Sequence, residues 1–331
     1  MKSFLLAGLA SLLLSISVFA QIPTDSAIPL EYFNKHWYRI SQRGAATFVR
    51  AYMGYDSAAR LHKIHDYQAN GRLLNAWHYD AADPYVREGL STWYWVNNQP
   101  SRSGSYLKGK RSGQWTDYYR NGKRQQQYTY PIYPDSTANN DSYLIDNSWD
   151  STGKAEVVKG HGIFRERNDS SGVVIQQGMV KNGLREGIWQ GFDKDGQQLY
   201  EDEYLQGKFL KGKRFGENGT CIPYDSLFIS AAFPGGTGAM MKNIYRTIRY
   251  PREEVEMGIE GTVIVGFIID KAGNVMDVEV LRGVSALIDE EAMRVVRKLP
   301  AWTPGLQRGK PVAVAFRLPI RFALTEKQSK K

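Results

Sequence analysis

Two stretches of the chain share one spacing of glycine and aromatic residues, and this repetition constrains the fold more than any other feature. The stretches are GKRSGQWTDYYRNGK (109–123) and GLREGIWQGFDKDGQ (183–197). The matching pairs are Gly109 and Gly183, Gly113 and Gly187, Trp115 and Trp189, Tyr118 and Phe192, and Gly122 and Gly196. Because every spacing agrees, we interpret the middle of the chain as a series of structural repeats.

Each repeat has the features of a β-hairpin. Asn121-Gly122 and Asp195-Gly196 are typical of two-residue turns, since both positions tolerate positive φ, and weaker copies place further turns near residues 71, 98, 153 and 172. A single hairpin cannot bury its aromatic face, but neighbouring hairpins can. The pattern predicts an all-β repeat domain of stacked hairpins with an aromatic core. An aromatic-rich groove for glycan or peptide is an alternative that the same residues leave open.

The C-terminal part of the chain changes to mixed helices and strands. Its predicted elements are a helix in MMKNIYRTIRYP (240–251), strands in TVIVGFIID (262–270) and VMDVEVL (275–281), an amphipathic helix in SALIDEEAMRVVRKLP (285–300), a loop in AWTPGLQRGKP (301–311) and a last strand in VAVAFRLPIRF (312–322). In the first helix Met241, Ile244, Tyr245 and Ile248 have the spacing of one helical face. We expect an α+β domain with two helices packed on a three-stranded antiparallel sheet. Pro319 cannot donate a ladder hydrogen bond, so the last strand is the candidate for an open edge.

This C-terminal sequence resembles the TonB C-terminal domain, in the form typical of Bacteroidetes-like bacteria. The resemblance begins at FPGG (233–236), runs through GIEGTVIVGFIIDKAGNV (258–275) and continues to the last strand. The motif positions that we expect to be structural are Tyr250, Pro251, Gly258, Gly261, Asp270, Gly273, Trp302, Pro304 and Gly305. The repeats resemble MORN-type repeats in the degenerate form of bacterial exported proteins, which implies a scaffold more than chemistry.

The TonB resemblance implies a function in the bacterial envelope. Domains of that family stand in the periplasm and capture a short extended segment, the TonB box, of an outer-membrane transporter. The captured segment adds a strand to the sheet, so backbone hydrogen bonds supply affinity and alternate side chains supply specificity. Carried onto this sequence, the resemblance implies that the last strand binds the partner at Val312, Val314, Phe316, Arg317 and Leu318.

The N-terminal residues have the parts of a secretory signal peptide. Lys2 precedes an apolar stretch, and Val18 and Ala20 occupy the −3 and −1 positions of an expected cut before Gln21. If it were retained, this segment would be a membrane anchor. The expected organisation is a signal peptide (1–20), a lead-in or cap (21–49), the repeats (50–215), a linker (216–236), the TonB C-terminal-like domain (237–324) and a polar tail (325–331). Residues 131–148 are expected to be a loop inserted between repeats.

Composition and isolated motifs exclude several other classes of function. The formal net charge is +9, but basic and acidic residues are interspersed, so nucleic acid is not an expected partner. The single cysteine, Cys221, excludes an internal disulfide and is expected to be a partly buried apolar residue. His62 and His65 would face opposite sides of a strand, so no metal site is expected. Without a nucleophile or phosphate-loop motif, the sequence indicates neither an enzyme nor a cofactor.

The sequence therefore predicts a TonB-family periplasmic protein that binds a partner strand in energy-coupled outer-membrane transport. Its partner would be an outer-membrane TonB-dependent transporter or another envelope protein, and no membrane-spanning segment is expected after signal cleavage. Force-transmitting members of the family carry an inner-membrane anchor and a Pro-rich spacer, whereas repeats stand here in place of the spacer. The alternative is a non-transducing envelope scaffold or adaptor whose repeats contact protein, lipid or peptidoglycan. A homodimer formed by strand exchange is also left open.

Overall fold

A computed structural model describes residues 21–80, 82–130, 143–216 and 219–324 of the chain. The expected signal peptide at 1–20 and the expected polar tail at 325–331 lie outside the described residues. Residues 131–142 of the predicted loop also lie outside them. None of the helices in the described ranges is long and apolar enough to cross a membrane.

The N-terminal and middle parts of the chain form one antiparallel sheet, which over the described residues has 17 strands. From β3 onwards each strand pairs with the next along the chain, while β1 pairs with both β2 and β3. The all-β expectation is confirmed. The strands are β1 (Leu30–Phe33), β2 (Arg39–Ile40), β3 (Phe48–Asp56), β4 (Leu61–Gln68), β5 (Leu73–Tyr79), β6 (Arg87–Tyr94), β7 (Pro100–Leu107), β8 (Lys110–Tyr118), β9 (Arg124–Tyr130), β10 (Leu144–Trp149), β11 (Ala155–Val158), β12 (His161–Arg167), β13 (Val174–Lys181), β14 (Leu184–Phe192), β15 (Gln198–Leu205), β16 (Lys208–Phe215) and β17 (Cys221–Tyr224).

The matched tryptophans of the two repeats are the centres of the sheet's aromatic core. Trp115 and Trp189 are fully buried. Each indole lies over a small residue of the preceding strand, because a Cβ atom at Gly104 or Gly178 would overlap the ring. Large and small side chains therefore alternate across neighbouring strands, which is how a dense core is filled without voids.

Two sequence expectations for this sheet are wrong. The expected loop at 131–148 ends earlier, because Leu144–Trp149 form β10 and pair with β9. The short polar side chains of this segment are typical of a loop, but its backbone pairs with β9 as a strand. Cys221, expected to be partly buried, is exposed at the start of β17, where the first three residues of this short strand all remain in contact with solvent.

The C-terminal part forms the expected α+β domain. Its elements are α1 (Gly236–Thr247), α2 (Arg252–Glu256), β19 (Gly261–Ile269), β20 (Val275–Arg282), α3 (Ala286–Arg297) and β23 (Val314–Phe322). The order of its main sheet is β20-β19-β23. The buried side chains of β19 alternate with exposed or half-buried ones along much of the strand and pack with the apolar stripe of α3, which is Ile288, Ala292, Val295 and Val296. Ser285 caps the N-terminus of α3 by accepting a hydrogen bond from the Ile288 amide.

A second, smaller sheet joins the two parts of the chain and was not predicted. It consists of β18 (Phe228–Ile229), β21 (Gly305–Gln307) and β22 (Lys310–Val312). The expectation of a loop at 301–311 is therefore wrong. Arg308 and Gly309 both have positive φ and form a two-residue hairpin turn between β21 and β22. Tyr245, expected on the buried face of α1, is 59% exposed, because Met240 and Ile244 point into the core instead.

The Gly178 contact gives a test of the core. Gly178→Ala would place a methyl group inside the Trp189 ring, so we expect the sheet to lose about 1–3 kcal/mol of unfolding free energy. Gly44→Ala is the matched control, because a Cβ there meets no atom within 4 Å and its φ is not positive. Urea unfolding followed by tryptophan fluorescence measures both. Equal midpoints for the two variants would contradict this packing.

Candidate partner-binding edge

The strand β23 is a regular edge strand. It pairs with β19 over nine consecutive residues, from Gly261 opposite Phe322 to Ile269 opposite Val314, without a register shift. In the part of the chain that the structure describes, no strand pairs with its other side. Such an edge presents unpaired N–H and C=O groups to an incoming strand.

The side chains proposed for partner binding divide between the two faces of β23. Val314, Phe316 and Leu318 belong to the core, and the Phe316 ring lies 4.9 Å from Trp302. Val312 lies outside β23, at the end of β22. The side chain of Arg317 is exposed on the opposite face. The core-facing side chains are therefore packed inside the domain, and Arg317 is the proposed residue whose side chain is free to contact a partner strand.

The position of Pro319 indicates which backbone groups face the open side. Proline has no N–H, so within a paired strand its nitrogen faces away from the neighbouring strand. Because hydrogen-bonding direction alternates along an antiparallel strand, the N–H groups of Ala315, Arg317 and Arg321 point to the open side with it. One donor is missing at Pro319, and the two arginines flank that gap.

The opposite edge, β20, is less suited to accept a strand. Its pairing with β19 shifts register twice, and Asp277 has a φ of 50°. Bulges of this kind twist an edge away from further pairing. The lead-in segment also reaches this strand, where Lys35 Nζ lies 3.0 Å from Glu279 Oε2. The Lys35 hydrogen bond is the main cause that lowers the pKa of Glu279.

The expected structural residues support the sheet that carries β23. Tyr250 donates a hydrogen bond of 2.6 Å to the Ile259 carbonyl, and its ring meets Phe322 edge to face. Pro251 precedes α2, and Gly258 follows it with a φ of 68°. Gly261 opens β19, where a Cβ would press on Val284. These contacts fix the chain on either side of α2 against the end of β23.

A second group of expected residues fixes the turn between β19 and β20. Asp270 accepts hydrogen bonds from the Ala272 and Asn274 amides, both at 2.8 Å, and the Asn274 amide is the main cause that lowers its pKa. Gly273 has a φ of 89°, and a Cβ there would overlap the Trp302 carbonyl. The Trp302 amide donates to the Gly273 carbonyl at 2.8 Å. Trp302 is buried, so this turn is fastened to the core.

The residues that follow Trp302 lead into the small sheet. Pro304 is half-buried beside Gly305, which begins β21. A Cβ at Gly305 would collide with the Val314 side chain. The absence of a side chain at this position therefore lets the β21–β22 hairpin lie against the start of β23.

That hairpin docks the C-terminal domain onto the repeat sheet through one arginine. Arg308 donates from Nη2 and Nε to Asp202 Oδ2, at 2.9 and 3.1 Å. Its guanidinium carbon lies 3.8 Å from the ring centroid of Tyr200. Asp202 is 0% exposed and also accepts a hydrogen bond from the Tyr224 hydroxyl. Burial, with this hydrogen bond as the next cause, raises the pKa of Tyr224, so the hydroxyl stays a donor.

Two other aspartates of the sheet, the buried Asp66 and the half-buried Asp117, pair with an arginine on the neighbouring strand. Arg50 pairs with Asp66 at 2.8 Å, and Arg102 pairs with Asp117 at 2.6 Å. Each of these pairs also lies directly opposite in the strand register. The register partners of Asp202 are instead a tryptophan on β14 and a glycine on β16. Arg308 therefore supplies from the C-terminal domain the cation that the sheet itself lacks at this position.

Asp202, Tyr224 and Arg308 were not among the site residues predicted from the sequence. The dipeptide Arg308-Gly309 was a usable signal, because a glycine at the second position of a two-residue turn is typical of hairpins. The contact of Arg308 with Asp202 could not be predicted from the sequence, since 106 residues separate the two.

The two histidines considered as a metal pair contact aromatic side chains of the sheet. His62 stacks on Tyr79 at 5.3 Å, while Nδ1 of His65 lies 3.2 Å from the Tyr67 hydroxyl. Across the described ranges there is no group of three or more metal-binding side chains.

Comparisons with known proteins agree with the expected class of the C-terminal domain. Residues 246–324 match the family model described as Gram-negative bacterial TonB protein C-terminal, so the resemblance is confirmed for this domain. Two solution structures of the Helicobacter pylori TonB-CTD are similar to the chain. One is 25% identical and covers 26% of this chain and 78% of that chain, and the other is 26% identical and covers 27% and 94%; both have a TM-score of 0.22. No curated protein matches the chain. The MORN-type assignment of the repeats stays a prediction.

Core-facing and outward-facing positions of β23 should respond differently to truncation. Phe316→Ala removes a ring packed on Trp302 and Phe267, so we expect a loss of about 3–5 kcal/mol of unfolding free energy. Arg317→Ala removes an exposed side chain and should change it by about 0.5 kcal/mol or less. Chemical unfolding of the C-terminal domain measures both. A destabilising Arg317→Ala beside a neutral Phe316→Ala would reverse this assignment of faces.

The docking contact gives a second test. Arg308→Ala leaves the Asp202 carboxylate buried without its cation, so we expect the unfolding free energy to fall by about 3–5 kcal/mol. Lys310→Ala, an exposed change in the same hairpin, is the control. Limited proteolysis between β17 and β18 reports separation of the two parts. If Arg308→Ala were cut no faster than Lys310→Ala, the docking role of Arg308 would be refuted.

Proposed function

We propose that this protein is a TonB-family periplasmic protein that captures an extended partner segment by adding it as a strand to the open edge of β23. The observation that carries the proposal is a regular, unpaired edge strand within the segment that matches the TonB C-terminal family. Affinity would come from backbone hydrogen bonds along the edge. The role is binding, and no catalytic step or cofactor is invoked.

The proposed partner is a TonB-box-like segment of an outer-membrane TonB-dependent transporter, in energy-coupled transport, or a comparable segment of another envelope protein. Hydrogen bonds would come from the outward backbone groups of Ala315, Arg317 and Arg321. The side chains of Val314, Phe316 and Leu318 would flank the added strand on the core face, and Arg317 would flank it on the exposed face. Two edges exist in the sheet, but only β23 offers nine residues in unbroken register. This favours β23 over β20 as the capture site.

A second candidate is a non-transducing envelope adaptor, and the Arg308 contact favours it. A buried ion pair connects the C-terminal domain to the repeat sheet, and the small sheet holds the hairpin of Arg308 against the segment after β17. Such a connection holds the captured segment at a defined place on the repeat scaffold. The adaptor would use the same edge, and its repeats would make a further contact with protein, lipid or peptidoglycan.

The backbone mechanism can be separated from the side-chain charge at one position. Arg317→Pro removes an outward N–H and adds ring atoms to the open side, whereas Arg317→Ala keeps the N–H. We expect Arg317→Pro to weaken binding of transporter-derived N-terminal peptides at least about tenfold, and Arg317→Ala to weaken it less. Isothermal titration calorimetry measures the affinities, and unfolding curves verify that both variants fold.

The Arg317→Pro variant also separates partner capture from self-association. Unchanged peptide binding by a folded Arg317→Pro protein would overturn the edge mechanism. Analytical ultracentrifugation without peptide tests whether two copies pair through β23, in which case Arg317→Pro should yield monomers. Uptake of a transported substrate in cells carrying Arg317→Pro then distinguishes the two candidates, because only the transport function requires edge capture for uptake.

A further inference from the structure

Two clefts adjoin on the aromatic side of the repeat sheet. One has a volume of about 760 Å³ and the other about 660 Å³. Three residues line both of them, namely Asn75 on β5 and Arg87 and Trp93 on β6. Asn75 and Trp93 lie directly opposite in the strand register. The junction of the clefts is therefore built on paired strands and is not a surface loop.

Arg87 is enclosed by aromatic rings at this junction. Its guanidinium carbon lies 5.1 Å from the Trp77 ring, 4.9 Å from Trp93 and 5.5 Å from Tyr106. Within the described ranges its side chain has neither a carboxylate partner nor a hydrogen bond, although it is half-buried. The rings fix the position of the cation but satisfy none of its N–H donors.

Comparable arginines of the sheet do have polar partners. Arg50 and Arg102 each hold an aspartate. Arg111 and Arg185, which occupy matching repeat positions, donate to the hydroxyls of Tyr130 and Tyr204 at 2.7 and 3.2 Å. Arg87 differs from these four arginines, two of which occupy its matching repeat position, so its open donors are not a property of the repeat.

Asn75 provides a second, independent open group. It is 7% exposed, and its Oδ1 atom has no hydrogen-bond partner within the described structure. An unpaired buried acceptor costs free energy, and a bound molecule can satisfy it while also accepting from the open N–H groups of Arg87. Arg87 and Asn75 together favour a ligand that carries an anionic group for the guanidinium and a hydroxyl or N–H donor for Asn75 Oδ1.

We propose that this junction binds a carboxylated sugar of an acidic glycan. The carboxylate would take the N–H donors of Arg87, a pairing that is charge-assisted and geometrically specific. A ring hydroxyl would donate to Asn75 Oδ1, and the sugar would lie beside the Trp93 ring. Further hydroxyls reach amide and carboxylate groups in the larger cleft, such as Gln126 and Asp117.

The lining favours a sugar over an acidic peptide. Its polar groups are side-chain guanidinium, amide and carboxylate groups, which pair with hydroxyls both as donors and as acceptors. An extended peptide would instead require an unpaired strand edge, and β5 and β6 are each paired on both sides.

Binding of trigalacturonic acid to the purified protein tests the proposal. Tryptophan fluorescence gives the affinity, because Trp77 and Trp93 flank the site. We expect saturable binding that is at least about tenfold weaker for the methyl-esterified trimer and for Arg87→Gln. Arg87→Lys keeps a cation among the rings but loses the planar fork, so it should bind with intermediate affinity.

The matched control is Arg185→Gln, which removes the equivalent repeat arginine 4.3 Å from Trp189, in a separate cleft. It should bind the acidic trimer as the unaltered protein does. The proposal is overturned if neither trimer binds, if both bind equally, or if Arg185→Gln weakens binding as much as Arg87→Gln. Binding of a triglutamate peptide in preference to the sugar would overturn it as well.

Discussion

The buried carboxylate of Asp202 is the constraint on which the relation between the two parts of the molecule depends. A carboxylate with no solvent contact needs a cation and hydrogen bonds, and here the neighbouring strands supply only Trp189 and Gly212 as register partners. Arg308, Tyr224 and the Tyr200 ring complete the site. Since Arg308 belongs to the C-terminal domain, the end of the repeat sheet is complete only when that domain is docked.

This docking fixes the position of the open edge of β23 relative to the repeat sheet. The hairpin that carries Arg308 leads directly into β23, and the small sheet ties the same hairpin to the segment after β17. The lead-in segment contacts β20 on the far side of the main sheet. Here the sheet presents the edge on a scaffold, which suits capture at a fixed position.

Sequence reasoning predicted the elements whose signals are local. The Asn-Gly and Asp-Gly turns and the matched Trp115 and Trp189 identified the hairpin repeats, and the apolar stripe of α3 identified the helix that packs on β19. It failed where an element is stabilised by contacts with residues far away in the sequence. Arg308-Gly309 is a local signal for the β21–β22 turn, but the contacts with β18 and Asp202 that hold this hairpin cannot be read from 301–311. For the proposed edge residues, the alternation in 312–322 places Phe316 and Arg317 on opposite faces, as observed, but it does not identify Trp302 as the contact of Phe316.

The central claim is that β23 receives the partner strand. Amide hydrogen exchange of the full chain, measured by NMR with and without a bound transporter-derived peptide, tests it most directly. The account predicts that the amides of Ala315, Arg317 and Arg321 exchange fast in the free protein and become protected on binding, while β20 is unaffected. Protection confined to β20 or to the repeat sheet, with these three amides still exchanging fast, would contradict it.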